Sequence, residues 1–574
     1  MKKFINHNFF WSSLFVEQLS AFGVRHVCIS PGSRNTPLSL AFAENKKFKK
    51  YIIIDERSSG FFALGIAKQT SKPVVLVTTS GTAVAELYPA IIETYQQRIP
   101  LIICTADRPS FLRNTGANQT INQENIFNNH IRSFIDFGLP QINDRRLNSL
   151  CKKTVKGISI CNSINPGPVH FNFPFKKPLE PNTFTEEIYH KTSDYILENK
   201  LDQKSPKPNN ISLFGDIQSS NKAILLVGWD NYDSKFYTEL IKLSKKNDLP
   251  ILVDGTSELR FHKNSFPNLI VNNSSLLKAK SYQKLLETDL IIQFGNAPTS
   301  QTVLKYLETT TAIKIQVNEF GDRKDPSRNC GKIIKQNPTG FLKDISHSFE
   351  IKKIKNGWLE QIINAEVKSE ELKNKIINKS SFGLEPRITN ELLSAIPNNS
   401  NLLISNSTPI RDFDFFASKN SKGVKVHTNR GASGIDGIIS TASGVASQSK
   451  QKTFLLIGDL AFYHNLTALS NLAEYKIPLV IILINNNGGG LFNMLPIARE
   501  KKHFTKIFTT PLDLDYSKLI KGFGGNHHLA KSWKHFQQLI KNATTEKKFS
   551  VIEIKTDSIK SLEMRKKYWK ELAK

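Results

Sequence analysis

The chain has little of what marks a secreted, membrane-spanning or redox-active protein. Its 574 residues include only five cysteines, Cys28, Cys104, Cys151, Cys161 and Cys330. They are scattered, odd in number and form no C-x-x-C pair, which argues against a disulfide framework or a zinc knuckle and fits a reducing cytoplasm. No run approaches the ~18 uncharged apolar residues that cross a bilayer, so no membrane association is expected. The N-terminus, Met1-Lys2-Lys3-Phe4, starts like a signal peptide. Asn6, His7, Asn8, Glu17 and Gln18 then interrupt any apolar core, and the stretch through Leu19 predicts a first amphipathic helix instead. Neither G-x-G-x-x-G nor a P-loop is present, which removes the usual dinucleotide and triphosphate signatures. There is no short repeat, so solenoids and propellers are unsupported. Acidic side chains are outnumbered, 50 Asp and Glu against 78 Lys and Arg, for a formal net charge of +28. Such a balance suits phosphate backbones. The lysines are nonetheless spread thinly (Lys46 to Lys50, Lys152-Lys153, Lys501-Lys502, Arg565 to Lys567) without a nucleic-acid motif, so a solvated, lysine-rich surface is the plainer reading and no nucleic-acid partner is expected.

What remains is ordinary for a globular enzyme: 39% hydrophobic and 22% charged residues, in a chain long enough for roughly three to four domains. Short apolar runs alternate with helix-length segments in three groups. The first holds His26 to Ile29, Tyr51 to Ile54, Val74 to Val77 and Leu101 to Cys104. The second holds Ala223 to Val227, Ile251 to Val253, Leu290 to Phe294 and Ile313 to Val317. The third holds Leu402 to Ile404, Val424 to His427, Thr453 to Ile457, Val480 to Ile484 and Val551 to Ile554. This is the rhythm of βαβ units, and it predicts an α/β chain of three consecutive doubly wound parallel-sheet domains. A Pro-, Lys- and Asn-rich joint from Pro174 to Pro208 and a polar helical stretch from Trp358 to Lys379 place the boundaries near 190 and 360, giving domains 1–190, 191–360 and 361–574. The first and third units invite comparison as paralogous folds.

Two polar clusters near the C-terminal end carry chemistry. Gly458-Asp459 closes the run Thr453 to Ile457, and Asn485-Asn486-Asn487-Gly488 closes Pro478 to Ile484. In parallel sheets the carboxyl ends of strands are where ligands bind. One carboxylate with neutral amide oxygens suits a hard divalent cation that keeps phosphate in its shell. Alone, Gly-Asp reads as a helix cap. A third element changes the balance: Tyr51 to Ile54 ends in Asp55-Glu56-Arg57, placing an acid at the rim of the first sheet. Together they describe a thiamine diphosphate enzyme. Asp459 carboxylate, the Asn486 side-chain oxygen and the Gly488 carbonyl would hold the cation, with glycines 488 to 490 allowing close backbone approach. Glu56 would exchange a proton with the aminopyrimidine ring nitrogen.

Further motifs narrow the class. Ser30-Pro31-Gly32-Ser33-Arg34-Asn35-Thr36-Pro37, Asp55-Glu56-Arg57-Ser58 with Gly60 to Gly65, Thr79-Ser80-Gly81-Thr82-Ala83 and Thr105-Ala106-Asp107-Arg108-Pro109 lie in the first unit. Gly116-Ala117-Asn118-Gln119, Asn429 to Gly437 and Asn485 to Gly489 continue the set. Together they resemble the 2-succinyl-5-enolpyruvyl-6-hydroxy-3-cyclohexene-1-carboxylate synthases of menaquinone and phylloquinone biosynthesis. Even a departure agrees, since Gly458-Asp459-Leu460 replaces the Gly-Asp-Gly of most thiamine diphosphate enzymes and that family tolerates it. The resemblance is specific over about residues 25 to 125 and 400 to 497 and weak in the middle unit, where Pro298-Thr299-Ser300-Gln301-Thr302 lacks the lysine of several relatives.

The resemblance implies thiamine diphosphate with Mg2+ or Mn2+, and 2-oxoglutarate and isochorismate as substrates. The 2-oxo acid loses carbon dioxide, and the succinyl-semialdehyde carbanion equivalent adds to isochorismate. Both substrates carry two carboxylates, which arginine forks bind bidentately. Arg34, Arg108, Arg411 and Arg430, supported by Ser33, Gln119 and Ser407, are the candidates, each with a structural salt bridge as its alternative. Around the cofactor the candidates are Glu56, Ile435, Gly458, Asp459, Leu460, Asn486, Gly488, Leu491 and Phe492. Ile435 would prop its bent shape, and Leu491, Phe492 and Leu495 would form an apolar wall. His427 and His464 lie near the motifs and receive no role. The cofactor class places the two cofactor ends on different subunits, so a homodimer or homotetramer is expected. The alternatives are another thiamine diphosphate-dependent 2-oxo acid decarboxylase or carboligase, and a catalytically silent RNA-binding scaffold. An acetohydroxyacid synthase would bring Gly-Asp-Gly and a flavin-binding middle domain, and neither is apparent.

Overall fold

Apolar runs of three to seven residues joined by helix-length segments satisfy their backbone groups as parallel strands with crossover connections. The computed structural model, which describes residues 6–181, 188–198, 220–230, 232–263, 266–348 and 357–574, contains three sheets of six strands each. The first comprises β1 (His26–Ile29), β2 (Lys49–Ile52), β3 (Val74–Thr78), β4 (Leu101–Asp107), β5 (Ser133–Asp136) and β6 (Val169–Pro174), in the order β2-β1-β3-β4-β6-β5. The second comprises β7 (Ala223–Val227), β8 (Ile251–Val253), β9 (Leu269–Ile270), β10 (Leu290–Phe294), β11 (Ile313–Asn318) and β12 (Lys332–Lys335), in the order β12-β11-β10-β7-β8-β9. The third comprises β13 (Asn401–Ile404), β14 (Lys425–Thr428), β15 (Thr453–Gly458), β16 (Leu479–Asn485), β17 (Asn526–Leu529) and β18 (Ser550–Lys555), in the order β14-β13-β15-β16-β18-β17. The outer two sheets thus share one strand order, the topological likeness expected of paralogous folds. The middle sheet has the dinucleotide-fold order 3-2-1-4-5-6.

Every strand expected from the apolar runs is present, several with shifted ends. β2 covers Lys49–Ile52 rather than Tyr51 to Ile54, which leaves Ile54 in a connection, 85% exposed. Five further strands carried too weak a pattern. β5, β12 and β17 are half-exposed edge strands, β9 has two residues, and β6 alternates buried polar His170 and Asn172 with phenylalanines. The N-terminal helix, His7–Ala21, corrects an expectation. It is not amphipathic, because Phe9, Phe10, Trp11, Leu14, Phe15, Val16 and Leu19 are buried together with Asn8, Ser12 and Gln18. The polar residues satisfy neighbouring backbone: Asn8 Nδ2 donates to the Lys176 and Pro178 carbonyls, and Gln18 Nε2 to that of Leu197. Met1 to Phe4 and, within the joint between Pro174 and Pro208, residues 182–187 and 199–208 lie outside the described residues. No helix among the described residues is long and apolar enough to cross a membrane.

By compactness the chain forms two units. One comprises Met1–Lys204 with Asn429–Lys450 and Ala461–Leu479, and the other Ser205–Thr428, Gln451–Leu460 and Val480–Lys574. Within the first, helix Glu56–Thr70 packs on helix Ile438–Gln448 at backbone distance. A Cβ on Gly65 would stand 2.1 Å from the Thr441 carbonyl oxygen, and one on Gly444 2.1 Å from that of Phe62. This crossing is sealed by Ser58 Oγ, 2.8 Å from Ser440 Oγ and accepting from Asn471 Nδ2 at 3.0 Å. In the second unit, helix Trp358–Ile376 buries Trp358, Ile362, Glu366, Ser369 and Lys373 along one side, and the Glu366 carboxylate accepts from the backbone N–H groups of Val271 and Asn272.

Candidate active site

In the first unit the chemistry-bearing residues sit on consecutive loops at the carboxyl ends of β1 to β4. Glu56 is the first residue of its helix, where Asp55 caps by accepting from Ser58 N–H at 3.0 Å and from Thr467 Oγ1 at 2.6 Å. Burial raises the Glu56 carboxyl above its ordinary range, with Asp55 and Glu86 adding repulsion. A half-buried acid with a raised pKa is suited to passing a proton near neutrality. Arg34, in the loop after β1, is buried and donates through Nη1 to the Phe175 carbonyl at 2.8 Å, while its Nε has no hydrogen-bond partner. Arg108, directly after β4, donates to Ser80 Oγ and to the Asn118 carbonyl, both at 2.9 Å. Burial, and then the neighbouring Arg108 guanidinium, lower Arg34 to about 10 against the opposing pull of Asp107 and Glu180. A buried cation with a second cation beside it is a site that favours an anion.

The loops around this pair are tied to the sheet. Gln119, at φ 56°, donates from Nε2 to the Ser80 carbonyl, and Ser80 Oγ donates to the Gln119 carbonyl. Buried Asp107 pairs with Arg113 at 2.8 Å and accepts from Asn172 Nδ2 and from Arg108 N–H. Ser33 is exposed. On the segment 429–437, Ile435 is 37% exposed and its carbonyl accepts from Asn465 Nδ2. Arg430 lies at the start of the same segment, which is pinned by Glu93. Buried Glu93 accepts from Gly431 N–H at 2.8 Å and Ala432 N–H at 2.6 Å. Nothing in the local sequence around Glu93 signals this role. His464 faces Arg57, its Nδ1 3.3 Å from Nη1.

In the second unit, Asp459 and Asn486 follow the adjacent strands β15 and β16. Asp459 is 2% exposed and accepts from Leu460 N–H at 2.7 Å and Gly488 N–H at 2.9 Å. Burial nevertheless raises its carboxyl to about 6, with Glu385 adding repulsion. The Asn486 amide donates from Nδ2 to Glu385 at 2.7 Å, and its buried Oδ1 has no hydrogen-bond partner. Gly488 is at φ 134°, and a Cβ there would stand 2.1 Å from the Thr509 carbonyl oxygen, so only glycine fits. An electron-rich carboxylate beside an orphaned amide oxygen is the donor set of a cation that takes oxygen ligands. Among the described residues no group of three His, Cys, Asp or Glu is placed to hold a metal ion. Gly458 precedes this pair with open space where a side chain would be, and Leu460 is half-buried. Leu491 and Phe492 lie on a 3-10 turn, Gly490–Met494, half-buried rather than in the core, with Phe492 against Phe508 and Leu495 42% exposed. Ser407 holds an unusual φ of 72° at the start of helix Thr408–Phe416, and its carbonyl accepts from Arg411 Nη1 at 2.6 Å. His427 is buried, with Nε2 3.3 Å from Asn401 Oδ1.

Comparison with known proteins agrees with this geometry. Residues 11–126 match the N-terminal TPP binding domain of thiamine pyrophosphate enzymes, 416–554 the C-terminal TPP binding domain, and 193–404 the middle domain of thiamine pyrophosphate enzymes. The chain is 34% identical over 566 residues to the 2-succinyl-5-enolpyruvyl-6-hydroxy-3-cyclohexene-1-carboxylate synthase of Oceanobacillus iheyensis, covering 97% of this chain and 96% of that one. It is 36% identical over 568 residues to that of Listeria innocua serovar 6a, with the same coverage. The chain belongs to this synthase family. Among solved structures, a thiamine diphosphate-dependent 4-hydroxybenzoylformate decarboxylase of Rhodococcus jostii RHA1 aligns with a TM-score of 0.70 over 95% of this chain and 99% of that one, at 16% identity, a likeness of fold. The chain is therefore a transferase-type thiamine diphosphate enzyme, with the three α/β domains of its class.

Proposed function

We propose that the protein decarboxylates 2-oxoglutarate and joins the resulting four-carbon unit to isochorismate, giving 2-succinyl-5-enolpyruvyl-6-hydroxy-3-cyclohexene-1-carboxylate and carbon dioxide. The observation that carries the substrate class is the Arg34 and Arg108 pair, two neighbouring guanidiniums at strand ends, one of them with an unpartnered Nε. Dianionic substrates satisfy such donors, and the planar fork selects carboxylates. Arg411 and Arg430, with Ser33, Gln119 and Ser407, would complete carboxylate recognition. The strained backbone at Ser407 is consistent with a functional position.

Bound thiamine diphosphate supplies an electron sink for loss of carbon dioxide. The protein's part is to bind, orient and move one proton. Glu56, its carboxyl raised by burial, holds a proton for the aminopyrimidine ring nitrogen. Asp459, Asn486 Oδ1 and the Gly488 carbonyl would hold Mg2+ or Mn2+ against the diphosphate. Gly458 and Leu460 would border that end, with Leu491, Phe492 and Ile435 providing apolar contact. Division near 190 and 360 separates pyrimidine-binding, central and diphosphate-binding domains. Ile52, Ile54, Ile435 and Tyr463, all apolar and at least a third exposed in the unit that carries Glu56, support a homodimer or homotetramer. Five buried free thiols suit the cytoplasm.

Glu56→Gln tests the assignment. It should keep thiamine diphosphate and Mg2+ binding while abolishing carbon dioxide release from 2-oxoglutarate. Unchanged decarboxylation would refute the role of Glu56, and release that does not depend on isochorismate in product formation would favour a plain 2-oxo acid decarboxylase.

A further inference from the structure

One buried acid of the third sheet has no part in the mechanism above. Glu385 opens helix Glu385–Ala395 and is 2% exposed. Its Oε1 accepts from Asn486 Nδ2 at 2.7 Å and from Thr556 Oγ1 at 3.3 Å, and its Oε2 accepts from Arg565 Nη2 at 2.6 Å. Its own backbone N–H donates to Ser561 Oγ at 3.1 Å. Arg565, buried on helix Ser558–Leu572, also grips Asp412 through Nε at 2.7 Å and through Nη2. Three segments distant in sequence thus converge behind Asn486.

A carboxamide has two nearly isosteric ends, one that accepts and one that donates. Turned one way, Asn486 offers a cation an oxygen. Turned the other, it offers two hydrogens and repels the cation. A carboxylate paired with arginine only accepts, so Glu385 takes the NH2 end and leaves Oδ1 unpartnered in the buried site. We propose that Glu385, anchored by Arg565, is a positioning residue that fixes the Asn486 carboxamide with its oxygen toward the divalent cation. The inference rests on the cation reading of Asp459, Asn486 and Gly488 and adds the element that orients it. Outer partners of this kind commonly set metal affinity by 10–100-fold.

The test is Mn2+ binding by the metal-free, full-length protein with thiamine diphosphate present, read by electron paramagnetic resonance. Glu385→Gln should weaken Mn2+ binding at least tenfold. Asn486→Asp should also weaken it, because its second oxygen faces the Glu385 carboxylate. The double variant restores a donor-acceptor pair, Gln NH2 to Asp oxygen, and again leaves one oxygen for the cation. It should therefore bind Mn2+ at least tenfold more tightly than the product of the two single effects. A purely structural Glu385 gives no such rescue. Additive losses, or a Glu385→Gln variant that binds Mn2+ as the parent does, would overturn the proposal. Should Glu385→Gln not fold, Glu385→Asp keeps the charge beside Arg565 but withdraws it from Asn486, and parental affinity in that variant would overturn the proposal equally. Asp459→Ala separates the two levels of inference. If it binds Mn2+ normally, the cation site itself is misplaced, whereas if it loses Mn2+ while the Glu385 variants do not, only the positioning role fails.

Discussion

Replacing Glu93 with Gln should loosen the segment that carries Arg430 without altering any residue of that segment. Both Glu93 oxygens are used: one accepts from Gly431 N–H at 2.8 Å and from Gln97 Nε2, the other from Ala432 N–H at 2.6 Å. A glutamine keeps one acceptor and turns an NH2 toward a backbone donor. The loss of a charged hydrogen bond costs about 1.5–3 kcal/mol, and a buried donor left facing a donor adds about 1–3. Lys68 sharpens the expectation. Its ammonium donates to Gln97 Oε1 at 2.6 Å, and burial lowers it to about 8 from the usual 10.5 even though Glu93 pulls upward. Between those values the native state binds fewer protons than the unfolded chain, so stability rises with pH through that window. Without the Glu93 charge the folded pKa falls further and the window opens at lower pH. We therefore expect Glu93→Gln to lose on the order of 3 kcal/mol at pH 7 in denaturant unfolding, with a smaller deficit above pH 9. In steady-state assays KM for the carboxylate substrate proposed to meet Arg430 should rise about tenfold, equivalent to about 1.4 kcal/mol, with kcat changed less. A stability loss under about 1 kcal/mol together with unchanged KM would refute the claim that Glu93 holds this segment.

Two further outcomes follow from packing and from acid titration. Gly65→Ala should gain about 1 kcal/mol of helix propensity yet destabilise overall. Its Cβ meets the Thr441 carbonyl oxygen at 2.1 Å and Gly444 Cα at 2.9 Å, both backbone, and overpacking costs about 1–3 kcal/mol. A lower Tm with reduced carbon dioxide release is expected, and a stabilised variant would show that the two helices part freely. His170 is buried in β6, and burial lowers it to about 3 from 6.5. Thr105 Oγ1 donates its one hydrogen to Asn172 Oδ1 at 2.9 Å, so the 2.6 Å contact to His170 Nε2 makes that nitrogen the donor, and Nδ1 is left unpartnered. The unfolded chain takes up a proton below pH 6.5 that the native state refuses. Stability should therefore fall as pH drops from 6.5 toward 3, at about 1.4 kcal/mol per unit. His170→Gln should flatten that slope in unfolding curves at pH 4 to 7, and an unchanged slope would refute the reading.

The sequence is most legible where physics repeats with a short period. Buried parallel strands such as Ala223–Val227, apolar throughout, and Leu290–Phe294, apolar but for buried Gln293, can be read to the residue. Edge strands such as Lys332–Lys335 are half solvated and look like loop. β6 is hidden for the opposite reason, since its polar residues are buried to serve Thr105, Gln123 and Asp107 rather than solvent. The N-terminal helix misleads similarly. Asn8 and Gln18 look solvent-facing but reach the backbone of residues some 170 positions away.

The same division runs through the site. Glu56, Asp459, Asn486 and Gly488 each stand within four residues of a strand's carboxyl end, a position that predicts a place at the rim of the sheet that strand belongs to. Residue type at those points also predicts the kind of ligand, because an acid and an amide oxygen suit a hard cation. What a local motif lacks is orientation. Nothing in Asn485-Asn486-Asn487-Gly488 says which end of the Asn486 amide faces inward, and the residue that decides it lies 101 positions earlier. Glu93 stands in the same relation to the segment it pins, 338 positions away. In both cases a buried carboxylate is held by a cation, Arg565 for one and the Lys68–Gln97 relay for the other, and accepts from N–H groups of a candidate-site loop. An acid on a helix ordinarily reads as solvated surface. These two are distinguishable from it only by burial, and burial is a property of the folded chain.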